Sequence, residues 1–235
     1  MRIVLWNVFN TFLLLAVLAG CGGGGGNTPA GTTGPYISIV VDAGNTGAGG
    51  TLRYSAWGSV NETSRTGLPI TDAIVTVNGV TLTYNAATKQ YSARGLPSTL
   101  PDANGKLNLT VIARGKTYAA TQDAPDTLPV LSVPNSVVAA NATTVSWTQN
   151  VSTHGLVPTF YIFSAYISGP TGNTDRYQTT TTNTSVNIPA NTFTAGTTYW
   201  FNVNSDYNAQ PIANTAQSSG FYVLAAPVST SRTAQ

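Results

Sequence analysis

The chain has 235 residues, of which only 8% are charged, and its formal net charge at pH 7 is +2. Ordinary soluble domains carry about 25% charged residues. Nucleic-acid binding needs many phosphate contacts from a basic patch, and these few scattered cations exclude that function. One histidine and one cysteine also exclude the usual ligand set of a zinc site. We expect no cofactor.

The first 21 residues predict an exported protein with a lipid anchor. Arg2 precedes a short apolar segment that ends in Leu18-Ala19-Gly20-Cys21, a pattern typical of a secretory signal peptide over residues 1–20. The cleanly apolar part, Phe12–Ala19, is shorter than the roughly 20 residues that a transmembrane helix needs. The tetrapeptide resembles the lipobox of bacterial lipoproteins. That resemblance implies cleavage before Cys21, diacylglycerol on its sulfur and a further acyl chain on its new amino group.

Residues 21–35 are predicted to be a flexible linker that follows the lipidated cysteine. After Cys21 this stretch consists of five glycines followed by Asn, Thr, Pro, Ala and further Gly residues, and such a coil reaches roughly 20 Å. Lipoproteins that stay in the inner membrane often carry aspartate after the cysteine, whereas this chain has Gly22. Resemblance to that sorting rule implies the outer membrane of a cell envelope.

Residues 36–124 are predicted to form a β-sandwich of about seven short strands. Its clearest local signal is Asn78-Gly79 between Ala73–Val77 and Val80–Tyr84, because Asn-Gly favours the type I′ turn of a hairpin. The stretch Leu68–Gly79 resembles immunoglobulin-like or transthyretin-like modules of bacterial surface proteins. That resemblance implies an immunoglobulin-like sandwich.

A second domain is predicted over residues 125–226, after a boundary marked by two prolines and two acids in Asp123–Pro129. Short strands separated by Gly, Pro and Asn turns favour an antiparallel sandwich over a parallel α/β sheet. Val145-Ser146-Trp147 and Phe193–Val203 resemble a fibronectin type III domain. The resemblance implies a core tryptophan at Trp147 and a corner hydrogen bond at Tyr199.

The fold class predicted for the chain is therefore all-β, with two tandem antiparallel β-sandwiches after a signal peptide and a glycine-rich linker. Residues 227–235 are predicted to be a disordered tail. Because lipidation uses the sole cysteine, the stability of the fold must come from packed sheets without a disulfide.

The chain has few side chains suited to acid–base catalysis, with one histidine, His154, and one glutamate, Glu62. General acid–base catalysis needs titratable groups placed to share protons, and no Gly-x-Ser-x-Gly elbow accompanies His154. We predict that the protein is not an enzyme, with a hydrolase that uses His154 as the weakest alternative. A calcium site stays open at Asp102–Gly105, or at Asp123 with Asp126 on the domain boundary. Asp-x-Asn-Gly is, however, first of all a turn sequence.

Aromatic residues are the candidate ligand-binding groups. Alternation in Tyr199–Val203 points Trp200 outward, and Phe160–Ile167 is apolar on both faces, so Tyr161 or Tyr166 would join Trp200 if the strands are neighbours. Trp57 is a further candidate, since it falls opposite the apolar face of its own strand. An exposed aromatic platform suits a glycan or a protein partner. The alternative is that the first domain or a loop covers these side chains.

These observations favour a non-enzymatic, membrane-anchored envelope lipoprotein that presents its sandwiches for protein–protein interaction, adhesion or envelope scaffolding. The alternative is a glycan-binding accessory lipoprotein that uses exposed aromatic side chains. The expected partners are the membrane, through Cys21, and a protein or glycan.

Overall fold

The computed structural model describes residues 34–45, 51–169, 172–216, 218–226 and 229–235. The signal peptide, Cys21 and the linker up to residue 33 lie outside the described residues. Within the described ranges, no helix has the length and apolar character needed to span a membrane. These ranges form fifteen strands: β1 (Tyr36–Asn45), β2 (Leu52–Asn61), β3 (Ile74–Val77), β4 (Val80–Asn85), β5 (Gln90–Leu96), β6 (Lys106–Ala113), β7 (Lys116–Asp123), β8 (Leu131–Ser132), β9 (Thr143–Trp147), β10 (Phe160–Gly169), β11 (Gly172–Thr181), β12 (Ser185–Ile188), β13 (Thr198–Pro211), β14 (Gly220–Ala226) and β15 (Thr230–Thr233).

The strands form one long sheet and one short sheet. The long sheet has the order β11-β10-β13-β14-β1-β2-β5-β4-β3-β6-β7, with β15 also beside β13, and the short sheet has the order β12-β9-β8. Neighbouring strands are antiparallel, except that β1 and β14 run parallel. The prediction of an all-β sandwich fold is confirmed, and the parallel pair is the departure from it.

The first core forms where the long sheet folds over itself, so that β1 and β2 share their buried side chains with β3 and β6. Alternate residues of β1, from Ile37 to Ala43, enter this core together with Leu107, Leu109 and Val111 of β6. This alternation is what a strand with one buried face produces. The hairpin predicted at Asn78-Gly79 is present, with φ angles of 45° and 79° at the two turn residues.

The second core lies between the short sheet and the strands β10 and β13. Trp147 of β9 is buried there and stacks on Phe163, with ring centroids 5.9 Å apart. The backbone N–H of Thr194 donates to the Tyr199 hydroxyl at 2.8 Å, which ties the loop before β13 to that strand. The core tryptophan and the corner bond implied by the fibronectin type III resemblance are both present.

Strand β13 passes through both sandwiches and joins them. Its first half sends Phe201 and Val203 into the second core, and Tyr207 further along enters the first core. Strand β14 returns beside β13 and places Phe221 and Val223 in the first core as well. The sequence assigned Gly220–Ala226 to the second domain, whereas the structure gives this strand to the sheet and core of the first.

A buried polar network lies at the junction of the two sandwiches. The side-chain amide of Asn150 donates to the Tyr207 hydroxyl at 2.6 Å, and the Ser205 hydroxyl donates to Asn150 Oδ1 at 2.6 Å. The Tyr54 hydroxyl of the first sandwich donates to the carbonyl of Pro125 at 2.9 Å. Because such buried groups are expensive to leave unpaired, these bonds hold the two sandwiches in one arrangement.

The prediction of a disordered tail over residues 227–235 is wrong for its described part. Thr230–Thr233 forms β15 and pairs with Thr198–Phe201 of β13. Ala234 is buried in the second core, and the N–H of Gln235 donates to the carbonyl of Val137 at 2.8 Å. The four residues of β15 are polar and lack an apolar alternation, so only their pairing with β13 identifies them as a strand.

Candidate binding face

The face of the long sheet that is turned away from both cores carries the candidate site. We call the part of this face formed by β11, β10, β13, β14, β1 and β2 the outer face. On β13 the residues between the core positions lie on it, and Trp200, Asn202 and Asp206 are examples. Strand register then fixes which side chains of the neighbouring strands share the face, because side chains directly opposite each other point to the same side.

Trp200 and Tyr166 are directly opposite each other on β13 and β10. Trp200 is 37% exposed, whereas Tyr166 is largely buried and its hydroxyl lies 3.2 Å from the Ser229 hydroxyl. Ser231 of β15 is opposite Trp200 on its other side. The structure therefore brings together two of the four aromatic residues that the sequence singled out.

Tyr161 does not belong to the outer face, and its candidacy as an exposed aromatic is corrected. Its side chain is 2% exposed, lies in the second core and contacts Trp147 edge-on at a centroid distance of 5.4 Å. Phe160–Ile167 is apolar on both faces, so its sequence could not show which of its two tyrosines turns outward. Register with β13 decides this in favour of Tyr166.

Trp57 lies on the outer face, but it is distant from Trp200. It is opposite Val40 of β1, and Val40 is in turn opposite Tyr222 of β14. Three strand spacings of about 4.8 Å separate β2 from β13. Trp57 therefore belongs to a second group, with Val40 and Tyr222, rather than to one platform with Trp200.

Amide side chains that the sequence had not singled out adjoin Trp200. Asn202 lies two residues further along β13 and is opposite Ser164 of β10, which is itself opposite Gln178 of β11. The Asn202 amide donates to Asn204 Oδ1 at 3.2 Å. The signal that could have identified both asparagines is the same alternation that placed Trp200 outward.

Two aspartates that sequence reasoning missed form a row with Leu224 across the outer face. Asp42 of β1 and Asp206 of β13 are each directly opposite Leu224 of the strand between them. Burial raises the pKa of each carboxyl from 3.8 to about 7, because a charged carboxylate is disfavoured away from water. Neither forms an ion pair with a described residue. The sequence did not single out Asp42, because this residue precedes a glycine-rich stretch typical of a turn.

His154 takes part in a packing contact between the two sandwiches. Its imidazole lies over Gly105, where an added Cβ would come within 2.2 Å of His154 Nε2. Gly105 also has a φ of 71°, a backbone conformation that glycine adopts readily. The histidine therefore packs a loop of the second sandwich against the 102–106 turn of the first. This packing gives no support to the hydrolase alternative.

The aspartates considered for calcium are occupied by protein donors. Asp102 Oδ1 accepts from the N–H groups of Asn104 at 2.8 Å and Lys106 at 2.9 Å, and Oδ2 accepts from the Asn108 amide at 2.9 Å. These bonds, that of Lys106 first, lower the pKa of Asp102. Asp123 pairs with Lys106, and Asp126 accepts from Thr153. No cluster of three or more His, Cys, Asp or Glu side chains among the described residues is placed to hold a metal ion.

No family model matches the chain, and no curated protein matches it. Among solved structures it is similar to domains A168-A170 of titin, with 14% identity and a TM-score of 0.29, over 82% of this chain and 61% of that one. It is also similar to the FN1-FN3 domains of chicken CNTN1, with 11% identity and a TM-score of 0.26, over 83% of this chain and 66% of that one. The chain thus spans less than two thirds of the length of either matched chain. By its own strand order and buried cores, it is an all-β protein of two joined sandwiches.

Proposed function

We propose that the protein is a non-enzymatic lipoprotein of the bacterial outer membrane that presents its joined sandwiches to a partner in the cell envelope. The observation that carries the proposal is Leu18-Ala19-Gly20-Cys21 followed by a glycine-rich stretch. Each buried methylene of an acyl chain contributes about 0.8 kcal/mol, so one chain holds a protein marginally and two or three hold it firmly. The rest of the chain then lies in water at the membrane surface.

The arrangement of the two sandwiches supports a role in presentation. A partner bound on the outer face would contact strands of both sandwiches, since β13 and β14 belong to one continuous sheet. The hydrogen bonds of Asn150 with Tyr207 and Ser205 resist bending at the junction. A rigid body loses less conformational entropy when it binds than two freely linked modules would.

The lipid anchor is tested by producing the chain in a lipidating bacterial host and measuring the intact mass of the membrane-bound species. We expect the mature chain to begin at Cys21 and to carry diacylglycerol and a further acyl chain. The matched control is Cys21→Ser, which removes the sulfur and should leave an unprocessed, unlipidated chain. A wild-type species that begins at another residue or lacks lipid would contradict the proposal. Separation of inner and outer membranes by density then tests the location.

A second candidate function is glycan binding, and the exposed ring of Trp200 favours it. Aromatic faces offer a large apolar contact. We expect Trp200→Ala to abolish retention on the polysaccharide columns that hold the wild-type protein, with a nearly unchanged unfolding midpoint. Trp57→Ala is the matched control, because this tryptophan shares the face but lies three strands away. Equal losses in both variants would argue against a site at Trp200.

A further inference from the structure

The chain contains two Asn-Gly dipeptides, Asn78-Gly79 and Asn104-Gly105. Asparagine is one of the chemically labile residues, and a following glycine increases its lability, because no side chain hinders the backbone nitrogen of the glycine. That nitrogen attacks the side-chain amide carbon of the asparagine when the two groups can meet. The rate therefore depends on how firmly each dipeptide is held, and the structure holds the two very differently.

The side chain of Asn78 is fixed by three hydrogen bonds. Its amide nitrogen donates to the carbonyls of Leu100 at 2.6 Å and Lys106 at 2.8 Å, and its Oδ1 accepts from the N–H of Asn108 at 2.6 Å. Turning the side-chain amide toward the nitrogen of Gly79 breaks these bonds and leaves their backbone partners unpaired, which is costly. The hydrogen bonds therefore protect Asn78.

The side chain of Asn104 is exposed, and no described residue forms a hydrogen bond with it. The bonds at this dipeptide belong to the backbone: the Asn104 N–H donates to Asp102 Oδ1 at 2.8 Å, and the Gly105 N–H donates to the Asp102 carbonyl at 2.9 Å. Attack by the Gly105 nitrogen requires only the second of these bonds to open. A turn with exposed residues opens locally far more often than the whole fold unfolds.

We propose that Asn104-Gly105 is a site of spontaneous deamidation in the folded protein. The Gly105 nitrogen forms a bond to Cγ of Asn104 and closes a cyclic imide. The bond from Cγ to the side-chain nitrogen breaks, and ammonia leaves with the proton of the Gly105 N–H. Water then opens the imide at one of its two carbonyls, which gives aspartate or, where the main chain now runs through the former side chain, isoaspartate. Either product adds a negative charge beside Asp102.

The modified residue lies where the two sandwiches meet. Gly105 is buried beneath the imidazole of His154 from the second sandwich, and its carbonyl accepts from the Ala124 N–H at 2.8 Å. Isoaspartate lengthens the main chain just before Gly105 and so displaces it from these contacts. The same packing works in the other direction, because His154 restricts the opening of the turn and slows the reaction at Asn104.

The test incubates the full chain from the lipidating host, purified in detergent, at pH 8 and digests samples with trypsin at intervals. Asn104 lies in the tryptic peptide 95–106 and Asn78 in 66–89, so mass spectrometry with fragmentation follows both in one sample. We expect aspartate and isoaspartate to form at Asn104 at least tenfold faster than at Asn78. In guanidinium chloride, where neither turn is held, the two rates should agree within about threefold.

Two variants sharpen the assignment. His154→Ala uncovers Gly105 and should speed the conversion of Asn104 severalfold. Asn104→Gln is the matched control, because its longer side chain closes the ring much more slowly, and its 95–106 peptide should stay unchanged over the same period.

The wild-type comparison is decisive by itself, since it needs no variant to fold. Conversion at neither asparagine, equal rates at both, or a faster rate at Asn78 would overturn the proposal. A difference that persists in guanidinium chloride would also overturn it, because the neighbouring residues in the sequence would then set the rates instead of the fold. An unchanged rate in His154→Ala, shown to be folded by its thermal unfolding, would overturn the part played by the packing contact.

Discussion

Two regions of the outer face differ in their polar side chains: the aromatic region around Trp200, and the carboxylic-acid region of Leu224 with Asp42 and Asp206. At Trp200 an exposed aromatic ring is bordered by asparagine and serine side chains. At Leu224 two carboxyls flank an apolar side chain, and Asp206 is only 3% exposed. The first region places uncharged polar side chains beside an exposed ring. The second holds two carboxyls whose pKa is raised by burial, which makes the stability of the fold depend on pH. One continuous sheet thus carries both regions on neighbouring strands.

The largest expected effect concerns the carboxylic-acid region, formed by Asp42 and Asp206 beside Leu224. Since folding raises the pKa of Asp42 and Asp206 from 3.8 to about 7, the folded state binds more protons than the unfolded state between these values. The free energy of unfolding should therefore fall as pH rises from about 4 to about 7, by up to about 1.4 kcal/mol per pH unit for each group, and level off above. Urea unfolding of Asp206→Asn should show a shallower fall and a clear gain in stability at pH 8.

The control for this prediction is Asp72→Asn, which removes the same charge from an exposed turn. It should keep the parental dependence of stability on pH. If the parent protein were equally stable at pH 4.5 and pH 8, the carboxylic-acid region would not make the fold sensitive to pH, and the contrast with the aromatic region would fail.

Leu224→Ala should give the next largest effect, a loss of about 2 kcal/mol in the free energy of unfolding, because the side chain is buried between two strands. Removing it also admits water beside both carboxyls, so their pKa values should move down toward 3.8. Urea titrations at several pH values would then give a weaker pH dependence than in the parent. An unchanged pH dependence would show that the Leu224 side chain does not exclude water from the two carboxyl groups.

Tyr166→Phe should have the smallest effect on the free energy of unfolding, and it measures what the Tyr166 hydroxyl contributes to the aromatic region. The substitution removes the contact of the hydroxyl with Ser229, at 3.2 Å, and keeps the ring opposite Trp200. A loss of about 1 kcal/mol is expected from one such hydrogen bond, measured by urea unfolding at pH 7. A loss of several kcal/mol would mean that the hydroxyl belongs to a larger network than this pair.

Local patterns in the sequence predicted the elements that depend on a few neighbouring residues. The turn at Asn78-Gly79 belongs to this class, because the backbone preference of two residues determines it. The buried Trp147 and the corner bond of Tyr199 were instead implied by the resemblance of Val145-Ser146-Trp147 and Phe193–Val203 to a fibronectin type III domain.

Features that depend on partners distant in sequence escaped prediction. The pairing of β1 with β14 joins Ser38 to Gly220, and no local pattern announces a parallel neighbour so far along the chain. The register of β10 with β13 determines which face of the sheet Tyr161 lies on. The strand at Thr230–Thr233 forms by pairing with β13. The row of Asp42 and Asp206 depends on the pairing of β14 with β1 and with β13, so the sequence alone did not reveal these two aspartates.

The position of β1 in mid-sheet also has a mechanical consequence for a tethered protein. In the proposed lipoprotein a pull from the membrane anchor enters the fold at Tyr36, the first residue of β1. This strand is bonded to β2 along its whole length and to β14 over most of it. A force along the strand loads these hydrogen bonds together in shear instead of opening them one after another. We therefore expect the attachment to the tether to be among the mechanically stronger parts of the molecule, well suited to a protein that holds a partner against movement of the surrounding envelope.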